Sequence, residues 1–210
     1  VLSGLLIKAE NGEVTIASFD YETSAKLHIP ADIDEEGTTL VSGRLLSEIC
    51  RSLPKADVTV ETNESKLHLS CGSAQFNLAT MPVSDYPELP GLPQVSGTVE
   101  GSEFARAVSQ VAVAASKDDT LPILTGVRME IEGDTITLLA TDRYRLAMRE
   151  LTWNPADAEI STAALIKAKT ITEVAKTLGG SGKLDIALSD THELVGFESA
   201  NRRTTSLLVD

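Results

Sequence analysis

Residues Ile123–Met148 read ILTGVRMEIEGDTITLLATDRYRLAM, and residues Val1–Lys26 read VLSGLLIKAENGEVTIASFDYETSAK. Laid over each other without a gap, Gly4 meets Gly126, Val14 meets Ile136, Ile16 meets Leu138 and Asp20 meets Asp142, always 122 positions apart. A period of that size is a domain, because solenoid units run to only about 20–50 residues. In each copy two strand-like runs flank a turn, at Asn11-Gly12 in the first and Glu132-Gly133-Asp134 in the second. Asn-Gly suits the left-handed positions of a tight hairpin turn.

A second pair of segments extends the repeat. SGRLLSEICRSL (Ser42–Leu53) and KAKTITEVAKTL (Lys167–Leu178) align at an offset of 125. Leu46 matches Ile171, Ile49 matches Val174, Cys50 matches Ala175 and Leu53 matches Leu178, which is the apolar spacing of a helix. Arg44 corresponds to Lys169, Arg51 to Lys176 and Glu48 to Glu173. The two cations of each segment are seven residues apart, so they share one helix face.

The remaining segments fill out an α+β domain present twice. SEFARAVSQVAVAASK (Ser102–Lys117) predicts a helix with Ser102 as N-cap and a buried stripe of Phe104, Ala107, Val108, Val111, Ala112 and Ala115. After each charged helix come further strands: VTVE, KLHLSC and FNLATM in copy one, LDIAL, ELVGFES and TTSLLVD in copy two. Four of the eight prolines fall between Pro82 and Pro93, and proline blocks both helix continuation and sheet pairing. The expected domains are 1–81 and 99–210, joined by a semi-extended connector over 82–98. Copy one starts directly at its ILTG-like strand, without the helix that precedes that strand in copy two. The reading is of a first copy lacking its amino-terminal helix and a chain that stops as if more followed.

The formal net charge is −13, split as −8 over residues 1–96 (6 Lys+Arg, 14 Asp+Glu) and −5 over 97–210 (12 against 17). That argues against a protein that coats nucleic acid or an anionic membrane. No apolar run approaches the roughly 18 residues of a membrane helix, and no signal peptide opens the sequence. Cys50 and Cys71 give no disulfide framework. Buried, reduced thiols in a cytoplasmic protein are the reading, with a single disulfide as the alternative.

Catalytic signals are scarce. His28, His68 and His192 lie in strand or turn contexts without metal-ligand spacing. GGSGK (Gly179–Lys183) lacks the first glycine of a phosphate loop, Thr177 standing there, and Leu184 replaces its Ser/Thr; a helix C-cap and turn fit better. Asp20 and Asp142, at equivalent strand ends, read as turn caps rather than paired acids. No Ser/His/Asp or Cys/His set is present. The expectation is a protein that is not an enzyme and has no cofactor and no metal.

Two features invite a binding role. Cations on a helix face are ordinarily just solvated, yet here the stripe recurs at equivalent positions of an acidic protein. TDRYRLAM (Thr141–Met148) and the Arg149 that follows it set Arg143, Arg145 and Arg149 along one side of an extended segment beside Tyr144 and Leu146. These could be ordinary strand residues, or an apolar-plus-arginine docking patch.

Together, DDTLPILTG (Asp118–Gly126), LLATDRYRLAMREL (Leu138–Leu151), FNLATMPVSDYPELP (Phe76–Pro90) and the TTSLLVD end resemble the bacterial sliding clamp, the beta subunit of DNA polymerase III. The proline-rich connector and acidic, aromatic-poor composition resemble clamps of high-GC Gram-positive bacteria. The resemblance covers essentially the whole chain. It implies tandem copies of the clamp domain with sheets outside and two helices inside per domain, and three such domains in a family chain, of which the third is absent here. It also implies a homodimer ring around double-stranded DNA, gripped without sequence readout. The implied function is a non-catalytic processivity factor tethering the replicative polymerase. Implied DNA-facing residues are Arg44, Arg51, Arg106, Lys117, Lys169 and Lys176. Implied partners are the DNA polymerase III alpha subunit, the clamp loader and other proteins carrying a clamp-binding motif.

The pocket for that peptide would lie between domains two and three. This chain's share would be Leu124, Thr141, Arg143, Tyr144, Arg145 and Leu146. The family's best-known Gly-His before the Arg-Leu pair is Arg143-Tyr144 here, and Pro122-Ile123 replace the aromatic pair that some clamps place beside the pocket leucine. The competing readings are a two-domain enzyme with a cleft site, and a repeat-built interaction scaffold without DNA contact.

Overall fold

A computed structural model describes residues 3–63, 65–180 and 182–209. It divides into two compact units, Val1–Leu89 and Pro90–Asp210. Unit 1 runs β1 (Gly4–Glu10), β2 (Glu13–Phe19), β3 (Thr23–Pro30), β4 (Gly37–Ser42), α1 (Gly43–Ser52), β5 (Val58–Thr62), β6 (Lys66–Cys71) and β7 (Ala74–Met81). Its strands pair in the order β3-β2-β1-β4-β7-β6-β5, and every neighbouring pair is antiparallel.

Unit 2 runs β8 (Val95–Glu100), α2 (Gly101–Val111), a 3-10 turn (Ala112–Ala114), a second 3-10 turn (Pro122–Thr125), β9 (Gly126–Glu132), β10 (Thr135–Thr141), β11 (Leu146–Thr152), β12 (Asn154–Pro155), β13 (Ser161–Lys167), α3 (Ala168–Leu178), β14 (Lys183–Leu188), β15 (Leu194–Ser199) and β16 (Arg202–Leu207). One sheet is ordered β11-β10-β9-β13; the other runs β12-β8-β14-β15-β16. Strand β1 begins at Gly4 and β9 at Gly126, β2 ends at Phe19 and β10 at Thr141, so the sequence repeat is a repeat of strands. Pairing preserves it too: Gly4 faces Ser42 in unit 1 and Gly126 faces Lys167 in unit 2. Both hairpin turns need left-handed backbone, at Asn11 (φ 53°), Gly12 (φ 78°) and Gly133 (φ 54°).

Each helix grows straight out of a strand: β4 into α1, β8 into α2, β13 into α3. That shifts the start of α2. Its N-cap is Glu100, not Ser102. The Gly101 N–H donates to Gly182 O at 2.8 Å, and a Cβ at Gly101 would lie 2.7 Å from the Gly180 carbonyl, so glycine permits this close approach. The helix is also shorter than its apolar pattern suggests. It ends at Val111, passes into the 3-10 turn, and leaves Lys117 outside any helix.

The predicted stripe is buried, with Ala112 half-buried. Phe104, Val108 and Val111 are at or below 1% exposure. They join Ile171, Val174 and Leu178 of α3 and the inward faces of both sheets in one core, where each large aliphatic side chain contributes about 1.5–3 kcal/mol. Phe104 and Phe197 stack at 5.8 Å, tilted. The single Trp153 is buried and donates its indole N–H to Gly133 O at 2.9 Å. Unit 1 has a smaller core of Val41, Leu46, Leu67, Leu69 and Leu78.

Unit 1 contains one α-helix among the described residues, and this corrects the reading of Cys50. Cys71 is buried, whereas Cys50 is exposed and both thiols are free. Ala175, the repeat partner of Cys50, is buried in unit 2, where α2 lies against α3. Helix α1 has no such neighbour within its unit, so only Leu46 of α1 is buried.

Candidate functional site

All six cations expected to face DNA are solvent-exposed: Arg44, Arg51, Arg106, Lys117, Lys169 and Lys176. Arg44 and Arg51 sit at either end of α1, with Leu46 turned to the core. Lys169 and Lys176 hold the equivalent places on α3, whose buried residues are Ile171, Val174, Ala175 and Leu178. Arg106 lies on α2; Lys117 lies in the coil beyond it.

Three of the six are ion-paired within their own helix. Arg44 Nε is 3.1 Å from Glu48 Oε1, Arg106 Nη2 is 3.3 Å from Glu103 Oε1 and Lys176 Nζ is 2.9 Å from Glu173 Oε1. Among the described residues, Arg51, Lys117 and Lys169 make no ion pair shorter than 4 Å. Sequence reading missed one further cation: Arg202, on β16, donates from Nη1 to Thr177 O at 3.1 Å, at the carboxyl end of α3. Only the fold brings it there.

The second candidate site is the turn between β10 and β11. Asp142 Oδ1 accepts from the N–H of Tyr144 and of Arg145, both at 3.1 Å, and Asp142 Oδ2 accepts from Arg145 Nε at 3.0 Å. Thr141 Oγ1 accepts from Arg143 N–H at 3.2 Å and donates to Arg145 O at 2.8 Å. This places Arg143 at φ 81°. Arg143 and Arg145 therefore belong to a turn and do not alternate along a strand, as the sequence suggested; the strand begins at Leu146. Partial desolvation raises the Asp142 carboxyl, but the Tyr144 and Arg145 donors and the Arg145 charge outweigh it, and its pKa falls below the usual aspartate value.

The turn displays unusual apolar surface. Tyr144 is 92% exposed, Leu146 63% and Met148 57%, and Ile123 at 64% stands just before Leu124. Isolated exposed apolar residues are ordinary, whereas several along one segment make a candidate contact surface. Leu124 lies in the 3-10 turn at Pro122–Thr125, half-buried, its carbonyl accepting from Ser116 N–H at 2.7 Å. In the segment leading to it, the Asp118 carboxyl is lowered first by its hydrogen bonds from Thr120 and also by the charge of Arg143. Unit 2 has two shallow depressions, the first of which reaches the same Ile123. One of about 320 Å³ is lined by Ile123, Arg128, Leu165, His192, Leu208 and Val209. The other, of about 370 Å³, lies between Gly91–Gln94 and Leu188–Thr191.

Other motifs resolve into structure. Gly179 is the C-cap of α3, its N–H bonding Ala175 O; Ser181 of GGSGK lies outside the described residues, as do Val1, Leu2 and Asp210 of the quoted segments. His28 pairs with Glu13 and His68 with Asn77. Among the described residues no group of His, Cys, Asp and Glu is placed to hold a metal ion, and no helix is long and apolar enough to cross a membrane.

Fold and surface together define a class: a duplicated α+β domain whose helices display a recurring cationic stripe. The family assignment is specific. The chain belongs to the DNA polymerase III beta subunit family, matching the N-terminal domain over residues 1–90 and the central domain over residues 98–210.

It is 67% identical to the beta sliding clamp of Micrococcus luteus over its full length, covering 68% of that protein. It is 52% identical to that of Streptomyces coelicolor, covering 57%. Both relatives suit the expected high-GC Gram-positive character. Among solved structures, the DNA polymerase III subunit beta of Pseudomonas aeruginosa superposes with a TM-score of 0.89 at 28% identity, and the sliding clamp of Bacillus subtilis with 0.88 at 28%. The chain is covered completely in both and spans 58% and 57% of them. It therefore spans between about half and two thirds of the relatives it matches.

Proposed function

We propose that the chain is the greater part of a non-catalytic processivity factor that encircles duplex DNA and tethers a replicative polymerase. The observation that carries this reading is the equivalence of α1 and α3, which present exposed cations at matching ends, Arg44 with Lys169 and Arg51 with Lys176. A ring retains DNA by topology, so a net charge of −13 is no obstacle. A few phosphate contacts suffice, and they carry no sequence information. Many strong contacts would oppose sliding through counterion release. Arg106, Lys117 and, with them, Arg202 complete the proposed DNA-facing set.

The Thr141–Leu146 turn with Leu124 is the proposed seat for peptides of the polymerase III alpha subunit, the clamp loader and other clamp-binding proteins, and two full-length chains would close as a homodimer ring. A solved relative from Pseudomonas aeruginosa is bound to griselimycin, which supports a ligand-taking role for clamps of this fold. Family membership does not favour the alternative of a scaffold without DNA.

Retention of the full-length protein on nicked circular against linear DNA, after loading by its clamp loader, tests the reading. A ring stays on circles and runs off free ends; equal loss from both would overturn it. Exchanging Arg51 and Lys176 for glutamate should lower loading on circles.

A further inference from the structure

Helices α1, α2 and α3 carry three carboxylates between them, Glu48, Glu103 and Glu173. Each one is ion-paired to a cation of its own helix, at 3.1, 3.3 and 2.9 Å. Two cations against one carboxylate leave α1 and α3 each with a net charge of +1, and one against one leaves α2 neutral. Stability does not explain the arrangement well, because an exposed i,i+3 or i,i+4 pair is screened by solvent and contributes little. Glu48 and Glu173 are repeat-equivalent, yet Glu48 pairs four residues back with Arg44 and Glu173 pairs three residues forward with Lys176. What the two helices share is a carboxylate set between two cations, not a particular bond.

A carboxylate in that place competes with phosphate for the same cation. It already neutralises part of the charge, so a phosphate meeting Arg44, Arg106 or Lys176 displaces the glutamate and gains less than it would from a free cation. We infer that Glu48, Glu103 and Glu173 are positioning residues that hold these three cations in weakened contact with the duplex, leaving Arg51, Lys117 and Lys169 as the ungated contacts. The glutamates keep the helix faces cationic enough to centre DNA and too weak to arrest it. This rests on the DNA-facing reading of the helices.

The test is binding of a short duplex by this chain at several salt concentrations, read by fluorescence anisotropy from low ionic strength upward. The combined variant Glu48→Gln, Glu103→Gln, Glu173→Gln should bind more tightly. Its log–log salt slope should steepen by about 0.9 for each cation released. Between about 50 and 200 mM salt that is about a threefold extra loss of affinity per cation. A control variant, Glu35→Gln, Glu61→Gln, Glu159→Gln, makes the same change in net charge away from these helices and should leave the slope unchanged. Equal slopes for the two triple variants, or an unchanged slope in the first, overturn the gating role. Arg51→Glu with Lys169→Glu tests the underlying reading separately: undiminished binding in that variant, or no binding by any variant, overturns the DNA-facing assignment itself.

Discussion

Asp20 and Asp142 make the same turn twice. Asp20 Oδ1 accepts from the N–H of Glu22 at 3.0 Å and of Thr23 at 2.7 Å, and Asp142 Oδ1 accepts from Tyr144 and Arg145 at 3.1 Å each. The residue after each aspartate is left-handed, Tyr21 at φ 73° and Arg143 at φ 81°. A carboxylate bonding the N–H groups two and three residues on is a side-chain-built turn, so these acids shape the end of the hairpin. In the second copy the same carboxylate also holds Arg145. The surface proposed for partner peptides therefore depends on Asp142.

Replacing Asp142 by alanine should free the Tyr144 and Arg145 amides, seen as faster hydrogen exchange at both, and weaken clamp-binding peptides. Asparagine retains the acceptor oxygen and loses the ion pair, so its exchange rates should fall between. The pKa of Asp142 is lowered. Its contribution is therefore present above the ordinary aspartate pKa and fades as pH drops through the still lower folded value. An NMR titration of the Asp142 carboxyl should show a midpoint below that of aspartate in a peptide; a midpoint above it would contradict the turn geometry.

Left-handed backbone is costly for a residue with a Cβ, by about 1–2 kcal/mol. Arg143→Gly relieves that cost while adding about 0.4–1 kcal/mol of unfolded-chain entropy. Its stability by denaturant unfolding should stay within about 1 kcal/mol of the parent, or slightly above it. Arg143→Val puts a β-branched side chain at φ 81° and should lose about 1–3 kcal/mol. Destabilisation by glycine as large as that by valine would show that the arginine side chain, not its backbone, carries the turn.

Cys50 shows where sequence ceases to be legible. Strand alternation, the turns at Asn11-Gly12 and Gly133, and the α2 stripe are local patterns, and local chemistry decides them. The exposure of Cys50 depends on whether another helix lies on that side of α1. Periodicity gives every helix an apolar face and cannot say what meets it. The same holds for the candidate sites. The cationic stripe was readable because it is periodic. The Glu48, Glu103 and Glu173 pairings, and Arg202 reaching the end of α3, need side-chain directions and long-range contacts. Alternation alone places Arg143 and Arg145 on an extended segment, whereas the Asp142 turn takes up the three residues after it. The expected chemistry follows for the thiols. Under native conditions an uncharged alkylating reagent should modify one cysteine per chain, Cys50, and Cys71 should react only on unfolding. Mass spectrometry showing both modified in the native state would contradict the burial of Cys71, whose Sγ lies 3.4 Å from the carbonyls of Pro54 and Ala56.

Tyr86 fastens the proline-rich segment to the repeat itself. Its hydroxyl accepts from the Phe19 N–H at 2.7 Å and donates to the Gly4 carbonyl at 3.2 Å. It thus joins the first residue of β1 to the last of β2, the two ends of the duplicated hairpin. Phenylalanine fills the same space and leaves both backbone groups without their partner, so Tyr86→Phe should cost about 1–3 kcal/mol. Burial raises the phenol pKa more than the Phe19 N–H lowers it, and the negative charge of Asp20 raises it further, because both disfavour a phenolate in this half-buried site. A raised pKa means that this stability is complete below the ordinary tyrosine value of about 10 and is lost as pH climbs through the folded one. Unfolding midpoints of parent and Tyr86→Phe should therefore differ most near neutrality and converge in strong alkali. A gap that persists unchanged above the phenol pKa would mean that the ring's packing, rather than its hydroxyl, holds the segment in place.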